Sequence, residues 1–263
     1  MVEDPAHRRA SKSRSDVARH HDQRAILVAD LPRILADHRL YIETARSQGR
    51  RADLRGADLS GMSFVGADVR RARLSGANLD LADLFRANLQ NANLAGASLR
   101  HARVREADLS AARLSGAQLF AADLTDSCLA GADMEFALLT DAILVKACFN
   151  DADLSGANLD GADLRSAELR SANLRGARMG AARLDGADLR GARLGGAFLT
   201  GASLRGADLR GAYLRVAKLD GADLCGADLR DTLGLSPAQI GRTKRDGSTR
   251  LPDGMIEGTE NGG

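Results

Sequence analysis

The chain has 263 residues, 37 Lys and Arg against 35 Asp and Glu, and a formal charge of +2. Aromatics make up 3% of it, with no Trp and two Tyr, which excludes a core built on large rings and requires one filled by something small and regular. The charge balance argues against a strongly basic nucleic-acid binder and a strongly acidic mimic alike, and no apolar run approaches the ~20 residues of a membrane span.

In chain order, residues 1–24 read as a polar, solvated tail in which Arg8, Arg9, Lys12, Arg14 and Arg19 are opposed by Glu3, Asp4, Asp16 and Asp22. The stretch lacks the apolar segment of a secretory signal, and three cysteines make no disulfide framework, so the expected setting is a reducing cytoplasm. Residues 25–51 read as a capping helix. Asp30 is the expected N-cap, Pro32 lies in the first turn, and Leu31, Ile34, Leu35, His38, Tyr41, Ile42 and Ala45 form an apolar stripe closing near Gly49. His38 and Tyr41 are expected to pack the cap rather than bind a ligand.

Residues 52–231 are 36 consecutive five-residue blocks without an insertion. The centre of each is Leu except at Phe64, Val69, Val104, Met134, Phe149 and Met179, and the residue two before it is Ala except at Met62 and Ser127. A period of 5 smears apolar residues around an α-helix, so a helix is excluded. Ala and Leu two apart share one side of an extended backbone, the residue between them points outward, and Gly closes 18 of the blocks as a corner residue. Each block is a short strand and a turn that cannot bury its Leu alone, so successive turns must stack as a solenoid. Residues 232–263 read as a C-terminal cap, with Ser236 as N-cap and Pro237 opening a short helix, followed by a tail ending in TENGG.

The unbroken A(D/N)LXX pattern resembles the pentapeptide-repeat family. The resemblance implies an all-β solenoid: a right-handed, four-sided parallel β-helix, here of about nine coils with helical caps at both ends. Dealing the blocks onto four faces gives an independent hint of a 20-residue coil, because the first face ends in Gly in seven coils of nine, from Gly56 to Gly196. Nine coils at strand spacing make a rod about 43 Å long.

Two surface features are candidate sites. Coil 5, residues 132–151, has no Gly at any corner and is expected to direct Phe136, Leu138, Ile143 and Val145 outward, with Phe120 nearby, as a partner patch. The fourth face pairs outward acids with bases two residues on: Glu168 with Arg170, Asp188 with Arg190, Asp208 with Arg210, and Asp228 with Arg230. Cys128 and Cys148 fall on the same face in neighbouring coils and are expected to be free thiols. A filled tube offers no pocket, nucleophile arrangement or metal-ligand spacing, so the expectation is a protein without catalytic residues, metal or cofactor. The expected role is a scaffold for a protein partner, including a second copy as a homodimer, with no membrane contact. The resemblance supplies an alternative, a DNA mimic acting on a type II topoisomerase such as gyrase, since quinolone-resistance members of the family work so. Against it, residues 52–230 carry 22 basic and 23 acidic residues, not the acidic surface that mimicry needs. The same balance argues against direct nucleic-acid binding.

Overall fold

The computed structural model describes residues 30–255; the tail expected over 1–24 and the terminal TENGG lie outside them. Every fifth residue of the repeat, Gly or not, has a left-handed backbone, with φ between 50° (Ala121) and 72° (Gly226). Each such corner turns the chain onto a new wall, and four corners return it above its start. Parallel bridges therefore join residues 20 apart, from Asp53–Arg73 and Arg73–Asn93 up each of four ladders, in a right-handed, four-sided β-helix. L residues in this region cost about 1–2 kcal/mol, which is why Gly occupies half of the corners.

The Ala and central residues of the blocks line the tube almost fully buried, with Phe64 and Phe149 its largest side chains. Ser127, at an Ala position, is also buried and donates to Leu124 O at 2.7 Å. Backbone bonds run between coils: Leu54 N to Arg73 O at 2.7 Å, Arg73 N to Ala52 O at 3.0 Å and Gly56 N to Ser75 O at 3.0 Å. Ala57 N closes the corner on Leu54 O at 3.2 Å.

This scheme leaves the fourth N–H of a block without a backbone acceptor, and the outward residue supplies one. Asp58 Oδ1 accepts from Ser60 N at 3.2 Å, Asp123 Oδ1 from Thr125 N at 3.0 Å, and Asn158 Oδ1 from Asp160 N at 3.0 Å. Only a carbonyl or carboxylate one carbon from Cβ folds back this way, which explains the recurrent Asp or Asn at the second position. In four blocks without that residue a side chain one coil below substitutes, as Asp160 does for Gly180 N at 2.7 Å and Asn150 for Arg170 N at 2.9 Å.

The first coil is covered by α1, Leu31–Glu43. Leu31 is buried, Ile34 and Leu35 pack on the core, and Ala45, expected on the stripe, lies beyond the helix and exposed. Asp30 occupies the N-cap position but makes no capping bond; its carboxylate holds Arg33 at 3.3 Å instead. Gly49 (φ 70°) returns so close to α1 that a Cβ there would clash with Asp37 O. His38 does more than pack. Fully buried, it accepts from Ala52 N at Nδ1 (3.0 Å) and meets Arg70 O through Nε2 (3.0 Å), so one imidazole replaces two backbone bonds that a preceding coil would have made. Its neutral tautomer with the proton on Nε2 is the one this geometry requires.

At the other end the solenoid does not stop at Asp231. Bridges Tyr213–Leu233, Asp223–Lys244 and Asp228–Arg250 add a tenth, irregular turn, hidden in the sequence because Gly234 and Arg245 stand where Leu is expected. Within it, α2 (Pro237–Ile240) is capped by Ser236 as anticipated, Ile240 is buried over the last coil, and Gln239 Nε2 donates to both Leu214 O and Ala217 O at 2.9 Å.

His38→Phe, which fills the space but leaves Ala52 N–H and Arg70 O unpaired, is expected to cost about 2 kcal/mol in chemical denaturation. Burial pushes the His38 imidazole below its ordinary pKa of 6.5, opposed by the Arg70 carbonyl bond and Asp68 and assisted by Arg51. The cap's contribution is thus complete above pH 6.5 and is lost as pH falls below it. Thermal melts at pH 8 and pH 5.5 should show an acid-dependent loss in the native chain that His38→Phe lacks.

Candidate functional site

With the tube filled, the chemistry available to other molecules is that of the outward positions and corners. On the fourth face the structure builds a zipper. Arg190, Arg210 and Arg230 each clamp the acid two residues before, Asp188 at 2.7 Å, Asp208 at 2.6 Å and Asp228 at 2.6 Å. Arg190 and Arg210 also approach the acid one coil above, at 3.6 and 3.9 Å, and Arg250 extends the column to Asp228 at 3.8 Å. Burial raises the Asp188 carboxyl, but the guanidinium groups of Arg190 and Arg170 outweigh it and hold it well below the carboxylate range. The bond from Arg210 is the main cause that holds Asp208 low, and Arg230 does the same for Asp228.

The expected Glu168–Arg170 pair does not form. Arg170 reaches up to Asp188 at 2.5 Å, while Glu168 accepts from Asn150 Nδ2 at 2.8 Å. The extra methylene of Glu prevents the fold-back bond, Asn150 takes over Arg170 N from below, and the guanidinium is left to swing upward. The zipper spends its charge on itself: it caps backbone N–H groups and neutralises its own column.

The apolar patch divides. Leu138 lies on the second face with Phe136 on the corner entering that face and Phe120 on the corner leaving it, and these are 46%, 66% and 41% exposed. The Phe136 ring covers Gly156 of the next coil, where an added Cβ would come within 2.6 Å of it, and Phe120 stands edge-on to His101 with ring centroids 5.4 Å apart. Ile143 is exposed on the third face between Asp123 and Asp163, away from the others. Val145, at the fourth position of its block where the chain turns, is half-buried rather than exposed.

Sequence reasoning missed a second exposed apolar group: Phe198 on the second face, Tyr213 and Leu233 stacked on the first, and Val216 on the corner between them. Val216 carried a signal. With Phe136 it is one of the two departures from Gly on that corner, and a β-branched residue at φ 55° is among the least favoured there.

Cys128 and Cys148 are bridged neighbours on the fourth face, half-buried and unbonded to each other. Ser110 Oγ lies 3.1 Å from the first sulfur and Asn150 Nδ2 donates to the second at 3.3 Å, while burial pushes the Cys148 thiol up. Open grooves lie where the caps meet the rod, one of them bordered by Arg33, Asp37, Leu40 and Arg50. Among the described residues no group of three His, Cys, Asp or Glu is placed to hold a metal, and no helix is long and apolar enough to cross a membrane.

The family model described as pentapeptide repeats matches the chain in eight copies, over segments running from residue 52 to residue 232. Among solved structures, HetL, a pentapeptide repeat protein involved in heterocyst differentiation regulation from the cyanobacterium Nostoc sp. strain PCC 7120, is 32% identical over 82% of this chain and 96% of its own, with a TM-score of 0.42. QnrB1, a plasmid-mediated fluoroquinolone resistance protein, is 21% identical over 73% of this chain and 92% of its own (TM-score 0.41). A pentapeptide repeat protein of the Arabidopsis thaliana thylakoid lumen is 33% identical over 43% of this chain and 71% of its own (TM-score 0.23). No curated protein matches the chain.

The outward carboxylates serve the backbone first, which separates two substitutions at Asp123. Asp123→Asn keeps the acceptor for Thr125 N and is expected to be near neutral, whereas Asp123→Leu removes it and should cost about 1 kcal/mol in urea denaturation. The zipper acids have lowered folded pKa values, so their contribution is present above about pH 4 and is lost as pH falls below it. Acid titration of stability should show that loss in the native chain, and less of it in the triple Asn variant of Asp188, Asp208 and Asp228.

Proposed function

The chain belongs to the pentapeptide-repeat family, and from that premise we propose that it is a non-catalytic scaffold that binds a protein partner through its outer faces. The observation that carries the reading is the exposure of Phe136, Leu138 and Phe120 along one face of a rod whose interior is otherwise filled. Exposed rings on a surface of Asp, Asn, Ser and Arg are the kind of group that protein interfaces desolvate. Leu138 makes no fold-back bond to its block, unlike Asp58, Asn78 and Asn158 on the same face. The half-buried, unbonded thiols of Cys128 and Cys148 support a reducing, cytoplasmic setting.

The DNA-mimic alternative is opposed by the same chemistry that builds the zipper. A mimic needs a row of uncompensated negative charges, and here Asp188, Asp208 and Asp228 each hold a guanidinium within 2.7 Å.

Affinity capture from the native host with the intact chain and with Phe120→Ser/Phe136→Ser/Leu138→Ser tests the reading. Loss of a specific protein from the variant, with an unchanged thermal midpoint, is the expected result. Identical captured proteins would overturn it, and inhibition of gyrase supercoiling by the purified chain would favour the alternative.

A further inference from the structure

The corner between the first and second faces is Gly in every coil except the fifth and the ninth, where it is Phe136 and Val216. Both are 66% exposed, and both hold left-handed backbone at φ 56° and 55°, a conformation disfavoured for bulky side chains. Between them the Phe136 ring lies over Gly156, and beyond it Gly176 and Gly196 form a track with no side chain to keep another surface away. The two knobs are four coils apart, about 19 Å at strand spacing, and equidistant from coil 7.

Charge on these two faces is divided about the same centre. On coils 5 and 6 the acids Asp133, Glu135 and Asp153 make no ion pair among the described residues, and on coils 8 and 9 the same holds for Arg193, Arg215 and Lys218. The zipper on the fourth face shows that this chain pairs its charges where the fold calls for it. The acidic half carries Phe136 and Leu138, and the basic half carries Phe198, Tyr213 and Val216.

From this division we infer that the strip formed by the first and second faces of coils 5–9 binds a second copy of the chain, side by side and antiparallel, about a two-fold axis at coil 7. The inference narrows the outer-face reading above to one occupant. A two-fold interface requires that whatever patch i meets, patch j meets in return. In this arrangement coil 5 of one copy faces coil 9 of the other, so Phe136 lies opposite Val216 and Glu135 opposite Arg215. Coil 6 faces coil 8, which sets Asp153 opposite Arg193. Arg175, on the axis, lies one coil from Asp153 in either copy. The parallel alternative would set acid against acid, so complementarity selects the antiparallel one.

The test uses the purified full-length chain in sedimentation velocity at low and high salt. The native protein should move from 27.7 kDa toward twice that mass as concentration rises into the tens of micromolar, less so at high salt. Phe136→Gly/Val216→Gly should remain monomeric while its thermal midpoint holds or rises, because Gly relieves both corners; this separates lost association from lost folding. Glu135→Arg/Asp153→Arg makes the strip predominantly basic and Arg193→Glu/Arg215→Glu makes it predominantly acidic. Each alone should be monomeric, and an equimolar mixture should recover the doubled mass. A native protein that stays monomeric, a reversed variant that still dimerises, or a mixture that fails to associate would each overturn the inference. A monomeric native protein that nonetheless loses a captured protein in the triple-Ser variant would remove the second copy and leave the scaffold reading standing. A dimer whose captured proteins are unchanged by that variant would do the reverse.

Discussion

The rest of the molecule depends on the left-handed corner that recurs every fifth residue. It turns the chain from wall to wall, sets the 20-residue coil and so fixes which residues stack. Chirality opposes this conformation for every residue but Gly, so each of the 18 corners without Gly holds its shape because the neighbouring coils hold it. The Ala and Leu core supplies that restraint. A side chain larger than Ala beside each Leu would push opposing walls apart, and the corners would lose the register that the bridges need.

The same geometry decides what the surface is for. One N–H per block has no backbone acceptor, and outward Asp and Asn are committed to it before any external partner is considered. Arg is then recruited to the carboxylates, and the result is a near-neutral coat. An outward residue that neither caps nor pairs is therefore informative, since the fold gains nothing from it. Leu138, Phe198 and Tyr213 are of that kind, and Phe136 and Val216 add backbone strain to it.

Much of this was legible in the sequence because each block repeats the same local problem. The Ala and Leu spacing identified the core, Gly at block ends identified the corners, and the uneven distribution of Gly and acids among four faces anticipated the coil. What escaped depended on which coil sits above or below. Arg170 has acids within reach both along its own block and one coil up, and only the length of Glu168 and the position of Asn150 choose between them. His38 read as cap packing, since its two backbone partners, Ala52 and Arg70, are brought together only by the closed first coil. Val216 was overlooked as one corner among many, although it breaks the Gly corner as Phe136 does. The tenth turn was missed because Gly234 and Arg245 interrupt the apolar period while the backbone ladder continues through Lys244 and Arg250.

Both ends are closed by side chains that bind main-chain atoms: His38 with Ala52 N–H and Arg70 O, and Gln239 with the carbonyls of Leu214 and Ala217. Every coil offers the same atoms in the same places, so neither terminator recognises a particular coil. Length is thereby uncoupled from closure: gain or loss of a whole 20-residue unit presents each end with an equivalent lid seat, and descent by unit duplication can lengthen such a rod without reinventing how it stops.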